Sequence, residues 1–172
     1  MGTTVQQLRD LIEGEDVVAF LREELLIIPT GHEGDTLNLY VNVCDEGTYV
    51  RWYMPYFLRL PHGRRGNQVC ARLLELNRNI KFLKFGVDTS TGDITAEIDL
   101  AVGDKLHLVD VQRCLFFMLN VALTERTGLK QLIRTGKFPA GQYEMDAVAR
   151  RLLESADGDE TLSLGPFEDQ EP

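Results

Sequence analysis

The sequence predicts an α+β fold: a helix, three antiparallel strands, a second helix, a β-hairpin and a long C-terminal helix. Three observations carry this expectation. Between 36 and 44 the chain alternates with period two, Leu37, Leu39, Val41 and Val43 on one face against Asn38, Tyr40 and Asn42 on the other, the pattern of a half-buried strand. Two apolar runs, 80–87 and 94–102, are joined by Thr89-Ser90-Thr91-Gly92, a hairpin signal. A long apolar stretch, 109–123, continues through Leu129, Leu132 and Ile133 past Gly128 and reads as helix.

The elements follow in order. Thr3 or Thr4 caps a first helix carrying Val5, Leu8, Leu11 and Ile12 at helical spacing, interrupted at Gly14. Val17, Val18, Phe20, Leu21 and Leu25 continue an apolar face opposite Arg22, Glu23 and Glu24, which predicts a broken or bent N-terminal helix ended by Pro29. Residues 26–28 are expected to be extended already, because the residue before a proline avoids helical backbone. After the strand 36–44, Asp45-Glu46-Gly47 makes a tight turn and 48–58 returns antiparallel, with Pro55 marking an edge or a bulge. Pro61-His62-Gly63 breaks the chain, and Asn67 caps a helix bearing Val69, Cys70, Leu73, Leu74 and Leu76. In the hairpin, setting Asp88 opposite Asp93 brings Val87 to Ile94, Phe85 to Ala96 and Leu83 to Ile98 on one face, with Lys84 opposite Glu97 on the other. A last short helix is expected over 143–153.

With 172 residues, 44% hydrophobic and 26% charged, the chain suits one core, placed at 1–153 as a single domain. Residues 154–172 carry seven acids and no lysine or arginine, with two glycines and two prolines. They read as a disordered acidic tail that keeps the protein soluble, or as a tail that docks through Leu162, Leu164 and Phe167. No apolar run is long enough to span a bilayer, so a cytoplasmic protein without membrane association is expected. The remaining charge is dipolar. The first 50 residues hold ten acids and two bases, whereas 51–84 hold eight bases and the single acid Glu75. Such a run can bind phosphates, with Arg59, Arg64 and Arg65 as candidate contacts, but the net charge of −9 argues against a nucleic-acid partner.

Reaction chemistry has little support. Cys44, Cys70 and Cys114 are scattered without a CxxC pair or a histidine at metal spacing, so neither a metal nor a cofactor is implied, and they read as apolar filler. His32, His62 and His107 lack a nucleophile motif, and the P-loop, GxGxxG, HExxH and GxSxG patterns are absent. No catalytic residue is assigned. Asn77 and Asp99 read as a helix-end cap and a strand closure. The cluster Tyr49, Trp52, Tyr53, Met54, Tyr56 and Phe57 is different, because a strand can bury only one face well against its own helices. Trp52, Tyr53, Tyr56 and Phe57 are therefore the candidate partner-binding residues, their outward members serving either a dimer contact or a client groove.

The element order resembles that of the YbjN family, whose fold is that of type III secretion chaperones. The run Leu76-Asn77, Phe82, Lys84-Phe85, Asp88, Gly92, Ile94 and Asp99-Leu100 is similar to the family's asparagine at a helix end, short hairpin and acidic residue before the last helix. The likeness covers about residues 15–135, and the aromatic strand with Pro55 and the Gly63-Arg64-Arg65-Gly66 turn depart from it. It implies a homodimeric, non-enzymatic protein that binds an unidentified client, chaperone-like or regulatory. In secretion chaperones an extended client wraps around apolar grooves.

Overall fold

In the computed structural model, the described residues are 2–32, 35–103 and 105–139. The expected helix over 143–153 and the acidic tail lie outside them. Helix α1 (Val5–Glu13) begins at the N-cap Thr4, whose hydroxyl accepts from the Gln7 amide while the Gln7 side chain accepts from the Thr4 amide. Leu8 and Ile12, one turn apart, are fully buried, each stabilising by ~1.5–3 kcal/mol relative to exposure.

The predicted bend into a second helical stretch does not occur. Residues 20–22 form a short strand, β1 (Phe20–Arg22), that turns at Glu23-Glu24 into β2 (Leu25–His32). Glu23 adopts a left-handed backbone (φ 57°) that an α-helix does not accommodate, and Phe20, Leu21 and Leu25 fall on the hairpin while Val17 and Val18 precede it. Pro29 then lies inside β2, opposite Asn38, instead of ending a helix.

β3 (Asp35–Cys44) and β4 (Tyr49–Arg59) follow as expected, linked by a 3-10 turn at Asp45–Gly47. Helix α2 (Arg64–Asn79) starts three residues earlier than its expected cap Asn67. Gly63, at φ 68°, turns the chain directly into the helix, and its carbonyl accepts from the Asn67 amide. The hairpin strands are β5 (Lys84–Val87) and β6 (Asp93–Ala101), paired Val87 to Ile94, Phe85 to Ala96 and Lys84 to Glu97. Leu83 precedes β5 and is buried, so its expected pairing with Ile98 is outside the ladder. The long helix runs as α3 (Leu108–Phe116), a π-helical segment at Phe117–Ala122 and α4 (Leu123–Thr135), closing on a left-handed Gly136.

The six strands form one antiparallel sheet ordered β1-β2-β3-β4-β6-β5. The helices pack on one of its faces. A row of partners Leu26, Val41, Trp52 and Ile98 crosses four strands, and all four are buried against the helical layer. Between Met54 and Leu58 the pairing slips: Pro55, Tyr56 and Phe57 stand opposite Thr95 alone. Tyr56 takes φ 54° there, and the bulge returns Phe57 to the core, where its carbonyl accepts from Arg126 Nε at 2.7 Å. At the far edge, the Asn77 side chain bonds both main-chain groups of Phe85: Nδ2 donates to the carbonyl at 2.9 Å and Oδ1 accepts from the amide at 2.8 Å. The asparagine near the end of α2 thus closes a strand edge, and both of its side-chain bonds go to Phe85 rather than to the helix end it was expected to cap.

Candidate functional site

The other face of the sheet carries no helix among the described residues, and strict alternation decides what lies on it. One row of cross-strand partners runs through all six strands: Phe20, Ile27, Tyr40, Tyr53, Glu97 and Lys84. Its first four members are apolar or aromatic, and Phe20 is 57% exposed. The Tyr40 and Tyr53 rings stack at 5.6 Å, and the Arg51 guanidinium lies 5.3 Å from the Tyr53 ring. Arg51 also reaches Glu97 at 2.7 Å and Asp99 at 3.8 Å across β6. The Glu97 hydrogen bond leads the effects that raise the Arg51 pKa. Tyr49, beside Asp99, has its pKa pushed up to about 12, first by burial and then by its hydrogen bond to that carboxylate. The face therefore has an aromatic half over β1 to β4 and an ion-paired half over β6 and β5.

Of the four sequence candidates for partner binding, two belong here and two do not. Tyr53 sits at the centre of the open face, and Tyr56, 73% exposed, projects from the bulge. Trp52 and Phe57 are fully buried and serve the core, because alternation from Tyr53 turns Trp52 inward and the bulge turns Phe57 after it. Sequence reasoning missed Phe20, Ile27 and Tyr40. Tyr40 was legible as a member of the polar face of its strand, whereas Phe20 was hidden by the helical reading of its segment.

The basic run does not form one patch. Arg51 lies on the open face and Arg59 ends β4, while Arg64, Arg65, Arg72 and Arg78 lie on α2. Lys84 Nζ donates to the carbonyls of Asn77 and Ile80, capping the C-terminal end of α2, so Glu97 takes Arg51 as its ion partner. Arg65 donates to Gln68. Arg72 bridges Glu75 at 3.0 Å and the buried Glu125 at 3.4 Å, and its guanidinium covers the Phe138 ring at 4.0 Å. Burial raises the Glu125 pKa, opposed by Arg72. Phe138 itself rests on Gly128, where a Cβ would fall 2.5 Å from the ring.

His62 and His107 are exposed, His107 at the N-cap position of α3. Cys114 is buried with its thiol pKa driven up by desolvation, and Cys44 and Cys70 are half-buried. Among the described residues, no group of three or more His, Cys, Asp or Glu side chains is placed to hold a metal ion. Also among them, no helix is long and apolar enough to cross a membrane.

No family model and no curated protein sequence matches the chain. Among solved structures, it is similar to YbjN from E. coli, a candidate transcription regulator, with 11% identity, a TM-score of 0.55, and coverage of 77% of this chain and 93% of that one. It is also similar to a chain of the ExsC-ExsE complex, with 16% identity, a TM-score of 0.46, and coverage of 83% and 100%. At 11% identity the fold alone is what is shared with YbjN, and the chain has its α+β fold.

Proposed function

We propose that this protein is a non-enzymatic protein-binding module, chaperone-like or regulatory, that acts as a homodimer and holds a partner protein on the open face of its sheet. The observation that carries this reading is the apolar row Phe20, Ile27, Tyr40 and Tyr53 on a face that no described helix covers. A stripe of this kind is suited to an apolar segment of another chain, with stacked tyrosines as low-entropy anchors and the Arg51, Glu97 and Asp99 cluster fixing orientation at its border. Tyr56 on the bulge extends the surface beyond the row.

The alternative, an anionic ligand held by Arg59, Arg64 and Arg65, draws on a basic run whose Arg51, Arg72 and Lys84 are already engaged within the fold. Salt separates the two readings. Peptides selected from a displayed library against the full chain should keep their affinity for it as salt rises, and lose it in Tyr53→Asp and Phe20→Asp variants that retain the wild-type melting midpoint. Sedimentation of the same proteins reports the homodimer. Binding that survives both substitutions and vanishes with salt rejects the open-face reading, and a chain that sediments as a monomer at all concentrations rejects the dimer.

A further inference from the structure

On the opposite layer of the molecule, the solvent side of α2 bears a second unsatisfied surface. Leu74 is 71% exposed in the middle of it, with the small Ala71 one turn before. Arg64 and Arg78 stand exposed toward the two ends and form no ion pair among the described residues. Glu75, the one acid on α2, is taken up by Arg72. The first turn holds Arg64 and Arg65 and no acid, which sets two cations against the positive end of the helix dipole and leaves the local field favouring an anion.

The C-terminal segment has the complementary chemistry, and the fold delivers it to this helix. Gly136, the left-handed cap of α4, lies directly against the Arg65 guanidinium. Phe138 then packs between Gly128 and Arg72, so the last described residues leave the fold beside α2. Fourteen residues, 140–153, lie between 139 and 154. They reach up to about 50 Å when extended, and about 27 Å with 143–153 helical, against about 24 Å for a helix of the length of α2. Residues 154–172 contain seven acids, no base, and the apolar Leu162, Leu164 and Phe167.

We propose that the acidic segment 154–172 docks in cis across the exposed side of α2, its carboxylates on Arg64 and Arg78 and its leucines and phenylalanine over Leu74. Tethering gives the tail a high effective concentration at this site, so weak exposed contacts suffice to populate the bound form. In that state the tail shields the basic helix and Leu74 from other anions and apolar chains. The open sheet face is on the other side of the molecule and is unaffected.

Amide NMR of the full chain tests this. Its reference is a full-length variant with the tail neutralised by E154Q, D157N, D159N, E160Q, E168Q, D169N and E171Q. At low salt, the amides of residues 64–81 should differ between the two proteins, the difference should vanish at 0.5 M NaCl, and it should be unchanged across a twentyfold range of protein concentration. Arg64→Glu with Arg78→Glu, in a chain with its natural tail, should move the amides of 68–76 in the same direction as neutralisation, while the amides of β5 and β6 keep their positions and report an intact fold. Unchanged α2 amides, or changes confined to β3 and β4, overturn the proposal. A concentration-dependent difference also overturns it, because the tail then binds another copy.

Discussion

Trp52 and Tyr53 are neighbours in sequence and belong to different environments. Trp52 lies in a row with Leu26, Val41 and Ile98 beneath the helices, without solvent exposure. Tyr53 lies in a row with Ile27, Tyr40 and Glu97, half-buried only by its flanking strands. Their sizes are alike, so bulk on a strand does not say what the bulk is for. On the covered face a large side chain is a volume to be filled, and any change leaves a cavity or a clash. On the open face it is area left over for another molecule, and its removal costs the fold only its contacts with in-plane neighbours.

The comparison breaks most sharply on the covered face. Trp52→Ala and Phe85→Ala should each cost about 3–5 kcal/mol in denaturant unfolding, since both side chains are buried and the surrounding strands cannot collapse into the space. Trp52→Phe should cost much less, because the indole Nε1 has no hydrogen-bond partner among the described residues and its loss strands nothing.

Next is the buried charge behind α2. Burial raises the Glu125 pKa above its ordinary value, so the folded state holds that proton more tightly than the unfolded chain. Its contribution to stability is therefore greatest below the ordinary carboxyl range and declines as pH rises from there toward the raised folded value. Glu125→Gln should remove that decline, seen as a flatter plot of unfolding midpoint as pH rises above the ordinary carboxyl value of about 4. A decline of equal slope in the variant assigns it to another group.

On the open face the effects are smaller and of another kind. Tyr53→Ala should cost the fold no more than ~1.5 kcal/mol, most of it shared with Tyr40 in a double-mutant cycle, while partner binding falls by far more. The smallest effect is expected at Lys84→Glu, within about 1 kcal/mol by thermal unfolding, since the ammonium is exposed where it caps α2.

Much of this plan was legible before any coordinates. Strands β3, β4 and β6 carry period-two patterns whose central apolar members, Leu39 and Val41, Val50 and Trp52, Ala96 and Ile98, reach the core, and the hairpin register followed from matching apolar to apolar and Lys84 to Glu97. β1 was not legible, because Val17, Val18, Leu21 and Leu25 satisfy a helical spacing, and the left-handed Asp16 and Glu23 that separate the two outcomes carry no signal in their residue type. The alternation of β4 announced two bulky faces but not which one the helices take. That choice depends on long-range packing of the helical layer, as does the meeting of Arg72, Glu125 and Phe138 from three separate segments. The two-residue bulge that buries Phe57 was hinted at by Pro55, though not in its effect on facing.

The Asn77 bridge to Phe85 has a consequence for how the sheet could be extended. An edge strand invites further strands through its free main-chain groups. β5 is four residues long, and the outward amide and carbonyl of Phe85 are already answered by an asparagine side chain that mimics a neighbouring peptide. β1, at the other margin, has no such plug among the described residues, and it presents Phe20 and Leu21 to solvent. Strand addition is thereby given a polarity. Growth of the sheet, whether by a guest segment or in the first step of aggregation, is terminated at the β5 end and left open at β1.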